Sequence, residues 1–330
     1  MLGKMEIHLF GCKDTTQQVA NFLRRHGIDI HLVTISKELA VKNDVAGYVE
    51  LSDHSESFKS IYVAKSYNLA ADADRAFFSE SQNLRIGFCV GWQRLIPKYL
   101  LERFSLGVHG MHGSARDLPF GKGRSPMNWA IIEGRKFFTT NLFRYSDGVD
   151  DGPVVAKSSF SINETDTAET LHYKNSLSMC HIVKNNLDDL LSGNVSYIPQ
   201  NVINGDSFYP KRAPADGIVD WRDDVINIDR LVRAVAPPFF GAIAYLRGEI
   251  LQIKRASVFY TDIEGHPFLK AKFGEILEVF HNKKFIVRCS GGVLIVHEYE
   301  GAKISTSDIF DVAESPYRRF NRNVYGFFDN

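Results

Sequence analysis

Residues 6–12 (EIHLFGC) form a short apolar run that ends at Gly11 and Cys12. After it Val19, Ala20, Phe22 and Leu23 recur at helical spacing until Gly27, with Asp14 or Thr15 placed to cap the start. The pattern spells strand, turn, helix, stop. Residues 28–35 (IDIHLVTI), 60–64 (SIYVA) and 85–91 (RIGFCVG) read as three further strands, and 66–80, with Ala70, Ala73, Ala76 and Phe77, as a helix between the last two. Strands separated by helices of this length predict βαβ crossovers and a mostly parallel sheet covered on both faces. Ligands of such sheets sit at the carboxyl ends of the strands, which directs attention to the loops after residues 11, 64, 91 and 108.

The second half changes character. Residues 163–193 carry Leu171, Leu177, Val183, Leu187, Leu190 and Leu191 before Gly193 and predict one long helix, with Asn163 or Thr165 as its cap. Residues 194–217, rich in Asn, Gly, Pro and Ser, read as a linker. Val225, Ile228, Leu231 and Val232 then share a helical face. Short apolar runs at 242–246, 250–253, 257–260, 276–280, 285–289 and 293–297 predict a small β-barrel. The expected division is 1–205, 206–300, and an aromatic and polar extension, 301–330, whose role is unreadable from sequence.

Composition narrows the partners. The 330 residues are 44% hydrophobic and hold 39 basic and 39 acidic side chains, for a formal net charge of zero. Gripping many phosphates of a nucleic acid requires a surplus of Lys and Arg. Even the helical stretch 211–233 balances Lys211, Arg212, Arg222, Arg230 and Arg233 against Asp216, Asp220, Asp223, Asp224 and Asp229. No nucleic-acid partner is expected. Cys12, Cys89, Cys180 and Cys289 lie far apart and suit reduced, buried thiols in a cytoplasmic protein. The first residues lack the build of a secretion signal, and no apolar run approaches the ~18 residues that span a bilayer. There is no G-x-G-x-x-G after the first strand, no Walker sequence and no metal-ligand spacing, so neither a dinucleotide nor a metal is expected.

The chemistry-bearing residues concentrate in 91–152: GWQRLIPKYLLERFSLGVHGMHGSARDLPFGKGRSPMNWAIIEG, then FFTTNLFRY, then SDGVDDGPVV. The I-P loop after a buried strand, the H-G-S-x-x-L-P-like loop, the string G-R-S-P-M-N-W and V-D-D-G before a strand occur together, in order. This arrangement resembles the N10-formyltetrahydrofolate-dependent formyltransferases, most of all the formyltransferase domain of the UDP-4-amino-arabinose-modifying enzyme and other nucleotide-amino-sugar N-formyltransferases. The resemblance continues through LHYK at 171–174 and DGIVDW…VRAVAPPFFGA at 216–242, covering roughly residues 5–300. It implies an α/β fold: a Rossmann-like, mostly parallel sheet with helices on both faces, plus a smaller C-terminal β-barrel-like (OB-like) domain. It also implies N10-formyltetrahydrofolate as co-substrate, a nucleotide-linked amino sugar as acceptor, a homodimer through the second domain, and a role in bacterial polysaccharide biosynthesis.

Formyl transfer to an amine needs a proton shuttle, a group that orients the shuttle, and a donor for the tetrahedral oxyanion. His112 suits the first role, because imidazole gives and takes protons near neutrality, and Asp150 suits the second. Taken singly, each would read as structural: a lone His in an apolar loop, and an Asp in a D-D-G turn. Their place in the ordered motifs supports the catalytic roles. In the resembling enzymes the oxyanion donor is an Asn two residues before the His, and the matching position here is Gly110. His109 is the favoured substitute, although an extended chain points it away from Gly110's side, and Asn128 or a bound water are the alternatives.

The positions matching the pterin site are Trp92, Arg94, Leu95 and Ile96 of the I-P loop, with Asp147, Gly148 and Asp150 opposite. Trp92 and Leu95 also suit a plain core. Three cations among glycines and prolines, Arg116, Lys122 and Arg124, with Ser114 and Asn128 alongside, suit a diphosphate, or else a solvated loop. Asn128 also suits the start of a helix, and Trp221 a core anchor. The expected activity is formyl transfer to an amino sugar. Methionyl-tRNA formyltransferase is the runner-up, disfavoured by the neutral 211–233 stretch, and hydrolysis of formyltetrahydrofolate comes third. The rival of another class is a folate or nucleotide-sugar binding protein impaired in catalysis because Gly110 replaces the Asn.

Overall fold

The structure, a computed structural model, describes residues 5–201, 207–260 and 266–313. The strands are β1 (Glu6–Phe10), β2 (Asp29–Ile35), β3 (Ser60–Ala64), β4 (Gly87–Cys89), β5 (Val108–Ser114), β6 (Lys122–Gly123), β7 (Phe137–Arg144), β8 (Val154–Ser161), β9 (Phe208–Tyr209), β10 (Ala242–Leu246), β11 (Glu249–Phe259), β12 (Ile276–Val279), β13 (Phe285–Cys289) and β14 (Gly292–Gly301). The α-helices are α1 (Asp14–Arg25), α2 (Lys37–Lys42), α3 (Asp72–Glu80), α4 (Lys98–Leu101), α5 (Pro126–Ile132), α6 (Ala168–Ser192) and α7 (Val225–Val235). The contacts of the chain divide it into two units. The first comprises residues up to Lys122, Thr139–Phe160 and Tyr173–Asp206; the second comprises Gly123–Phe138, Ser161–His172 and the rest from Ser207.

The first unit is built on a seven-stranded sheet in the order β3-β2-β1-β4-β5-β7-β8, parallel from β3 to β5 and turning antiparallel where β5 meets β7. Alternation along the strands feeds two cores. Ile7, Leu9, Phe88 and Val90 pack with Val19 and Leu23 of α1 and with Ile182, Val183 and Leu190 of α6. Phe10, Val33, Ile35, Cys89 and Val108 pack on the other face with Phe78 of α3 and Leu100 of α4. Gly11 follows β1 because a Cβ there would lie 2.2 Å from the Val90 carbonyl, close enough that any larger residue would displace β4 from β1.

Two elements start later than their apolar patterns predict. The helix expected over 66–80 begins at Asp72, because the Ser66 hydroxyl accepts from the amides of Ala70 and Ala71 and Asp74 accepts from the amides of Lys65 and Ser66. Those bonds commit 65–71 to a turn. The long helix expected from 163 begins at Ala168, since Asp166 accepts from the Asn163 amide and holds a turn before it.

In the second unit β10-β11-β14-β13-β12 form a five-stranded sheet, antiparallel throughout. The runs expected at 250–253 and 257–260 are one strand, β11, bent by register shifts around Arg255 where it meets β14. A shift of this kind curves a sheet. Trp221 stacks on Phe310 at 4.8 Å, so it anchors the core as expected, and buried Ala302 and Phe310 draw part of the 301–330 segment into the packing. Residues 314–330 of that segment lie outside the described residues. Among the described residues no helix is long and apolar enough to cross a membrane, and no cluster of three or more His, Cys, Asp or Glu is placed to hold a metal. All four cysteines are free and buried.

Candidate active site

His112 was expected in a loop beginning after residue 108. It lies instead inside β5, paired with Asn141 of β7, and this fixes its direction more firmly than a loop would. Val108, Gly110 and His112 face one side of the sheet; His109 and Met111 face the other. His112 is 9% exposed, with Nε2 2.9 Å from the Gly121 carbonyl and Nδ1 3.4 Å from Oδ2 of Asp150. Each ring nitrogen therefore faces an oxygen that can accept a hydrogen bond from it when it carries a proton.

Asp150 reaches His112 because the chain after β7 folds back across the face of β5. The Tyr145 amide donates to the Val108 carbonyl at 2.8 Å, and the Arg144 amide donates to the Pro153 carbonyl at 3.0 Å, closing the loop. Asp150 sits at φ 51°, a left-handed conformation that Asp tolerates better than most residues. Gln200 pins this turn, its Nε2 donating to the carbonyls of Asp150 at 2.7 Å and Gly152 at 2.8 Å. Gly152 is required there, since a Cβ would stand 1.7 Å from the Arg144 carbonyl oxygen. The D-D-G sequence thus combines a left-handed carboxylate with a backbone crossing.

His109 is corrected as the oxyanion donor. It is completely buried on the opposite face of β5 from His112, between Phe88 and Tyr197, with Nε2 3.2 Å from the Tyr197 hydroxyl and Nδ1 without a partner. Burial, assisted by the nearby Arg144 charge, pushes its pKa down to about 4. Between the ordinary imidazole value and that depressed one, the unfolded chain takes up a proton that the folded chain refuses. Stability is therefore lost as pH falls through this window, by about 2 kcal/mol from His109 on reaching pH 5. His109→Phe should reduce the drop in urea midpoint between pH 7 and pH 5 relative to the parent; an equal drop in both proteins would contradict this reading.

The I-P loop residues are placed variously. Trp92 and Ile96 are core, at 7% and 4% exposure, with Trp92 edge-on to Phe10 and Tyr67. Leu95 is 51% exposed, which removes the plain-core reading for that residue. Arg94 lies over the Tyr67 ring and donates to the Gln93 carbonyl and to the side chain of Asn43. Across the loop after β7, Asp147 is exposed and 3.7 Å from Lys98, and Gly148 sits where a Cβ would strike the Asp151 carboxylate.

The expected acceptor residues do not all stand free. The Ser114 hydroxyl is buried and donates to the Phe120 carbonyl, while Lys122 is 3% exposed. Arg116 and Arg124 are half-buried, and the Arg124 amide donates to the Tyr209 carbonyl. Asn128 is already engaged within its own unit. Buried in α5, its Nδ2 donates at 2.7 Å to the Ala234 carbonyl in the last turn of α7, tying two helices of the second unit together.

Sequence reasoning overlooked Gln200 and Tyr145. Gln200 gave no signal in a segment read as linker. Tyr145 closes the apolar string FFTTNLFRY and was absorbed into the strand. Gly110 was the available signal, because a glycine inside a buried strand often marks a close approach by another group.

Two sequence models match the chain: formyl transferase over residues 5–178 and formyl transferase, C-terminal domain, over residues 211–314. Among solved structures, the chain is similar to an N-formyltransferase from Helicobacter canadensis in complex with folinic acid and dTDP-3-aminofucose, at TM-score 0.64 and 14% identity, covering 90% of this chain and 100% of that one. It is similar to WlaRD, a sugar 3N-formyl transferase crystallised with dTDP and 5-N-formyl-THF, at TM-score 0.62 and 16% identity, covering 92% and 99%. It also matches HypX from Aquifex aeolicus in complex with tetrahydrofolic acid, at TM-score 0.61 and 17% identity, covering 96% of this chain and 47% of that one. The chain thus spans about half the length of the HypX protein it matches. At these identities the solved structures share the fold. The sequence models, extending over the His112 strand, the Asp150 loop and the sheet of the second unit, establish that this chain belongs to the formyl transferase family, with both its N-terminal and C-terminal domains.

Proposed function

We propose that the protein transfers the formyl group of N10-formyltetrahydrofolate to the amine of a nucleotide-linked amino sugar. The observation that carries the reading is the His112–Asp150 pair, 3.4 Å apart on a sheet face that also bears the I-P loop. Half-exposed Leu95, beside buried Ile96, offers an apolar surface that a pterin ring would cover. The solved relatives that bind folates and a dTDP-sugar share the fold and support the choice of donor and acceptor class. The neutral total charge weighs against tRNA as the acceptor.

In this reading the amine attacks the formyl carbon, His112 accepts a proton from the attacking nitrogen, and Asp150 holds the ring and balances its charge. The C–N10 bond then breaks, and N10 leaves with a proton. Half-buried Arg116 is a better candidate than Lys122 to meet a diphosphate, because the side chain of Lys122 is largely inside the fold. The test is a screen of uridine, thymidine and guanosine diphosphate amino sugars with N10-formyltetrahydrofolate, following the mass of the sugar. A gain of about 28 Da, the replacement of hydrogen by formyl at the nitrogen, is the expected result. Formylation of methionyl-tRNA with no sugar product would overturn it.

A further inference from the structure

Attack on a formyl carbon places a negative charge on its oxygen, and a protein that speeds the step aims a donor at that charge. His109 lies on the far face of β5, and the side-chain amide of Asn128 donates to the Ala234 carbonyl of α7, so both expected donors are otherwise engaged. The structure supplies another group. A Cβ built on Gly110 would lie 1.7 Å from Cε1, 2.4 Å from Cζ and 2.7 Å from Cδ1 of Tyr145. The phenol ring therefore fills the space that a side chain at position 110 would occupy. Gly110 is two residues before His112 on the same face of β5, and Asp150 carries the end of the same loop to His112.

The Tyr145 ring is fixed from several sides. It stacks on buried Phe143 with centroids 5.3 Å apart, and its backbone is held by Val108. Cys89, the residue paired with Gly110 across β4 and β5, and Asp150 are both near enough to its hydroxyl to push its pKa up. A thiol sulfur is a weak acceptor. A hydroxyl with only a thiol nearby loses little when it turns to an oxyanion, and gains a charge-assisted bond.

We propose that Tyr145 is a catalytic residue: its ring occupies the space left by Gly110, and its hydroxyl donates to the oxyanion formed at the formyl carbon. The inference rests on the formyl-transfer reading of the His112–Asp150 pair. In the step, the amine lone pair forms the new C–N bond as the carbonyl π pair moves onto oxygen, where the Tyr145 O–H meets it. His112 takes the proton released by the attacking nitrogen, and when the C=O bond re-forms the C–N10 bond breaks and its electron pair takes that proton from His112 at N10. The phenol stays protonated throughout. Burial, reinforced by Cys89 and Asp150, holds its pKa far above the ordinary tyrosine value, so it serves as donor and not as base.

The test is steady-state kinetics of full-length Tyr145→Phe, which keeps the ring over Gly110 and removes only the hydroxyl. With N10-formyltetrahydrofolate and the best acceptor of the screen, kcat should fall about a hundredfold while KM for the donor changes less than about threefold. A variant that keeps a third or more of the parent kcat would overturn the inference, as would a loss confined to KM. If no nucleotide amino sugar is formylated, hydroxylamine serves as acceptor and the same ratio is read from the formylhydroxamate produced. That outcome would sink the sugar reading while still deciding the role of Tyr145. A parent protein that formylates neither acceptor would overturn the assignment itself.

Discussion

His112→Ala should lower kcat for formyl transfer by about 10⁴-fold, the upper end of what one general acid–base group contributes, while the donor still binds. The reason lies in the strand. His112 is one of seven residues in β5, and its backbone is fixed by pairing with Asn141, so truncating the side chain leaves its neighbours in register. What disappears is the one imidazole that faces both the Asp150 carboxylate and the Gly121 carbonyl. Water can enter the space, but it brings no imidazole to take and return a proton. The measurement is kcat alongside the dissociation constant for tetrahydrofolate, read by fluorescence. A loss of folate binding as large as the loss of kcat would show that His112 holds the site together and does not run the chemistry.

Much of this arrangement was legible in the chain, because its signals were local or ordered. The Gly11 turn, the apolar runs of β1 to β4 and the α7 face follow from periodicity, and the two helix starts that differ were set by side chains competing with the helix for backbone amides, as Ser66 and Asp74 do. The His112–Asp150 encounter depended on ordered motifs, since 37 residues of chain and the antiparallel turn of β7 lie between them. Tyr145 was not legible, because a residue at a strand end points wherever the following loop takes it, and only the three-dimensional crossing over Gly110 shows where. Asn128 misled for the opposite reason: a polar residue in a loop-like, cation-rich string looks available until a carbonyl of a distant helix is found to use it.

Asp150→Asn should reduce kcat by about 10³-fold with little change in thermal midpoint. The substitution separates the two things Asp150 does. Its backbone is left-handed at φ 51°, a conformation Asn adopts as readily as Asp, and Gln200 grips the backbone carbonyls of residues 150 and 152 without touching the side chain. The loop should therefore stay folded. The side chain, however, becomes neutral and offers an amide with donors as well as an acceptor in place of a carboxylate that only accepts. An imidazole that takes up a proton at Nε2 then has no negative partner at Nδ1, and a neutral ring can turn its acceptor toward the amide donor, leaving the other nitrogen unable to receive a proton. In a Ser-His-Asp triad the same exchange of Asp for Asn costs about 10⁴ in kcat through the wrong tautomer, and the longer 3.4 Å contact here argues for a somewhat smaller effect. A kcat within tenfold of the parent would mean that the carboxylate neither orients nor balances His112, and that Asp150 is retained only for the turn it makes.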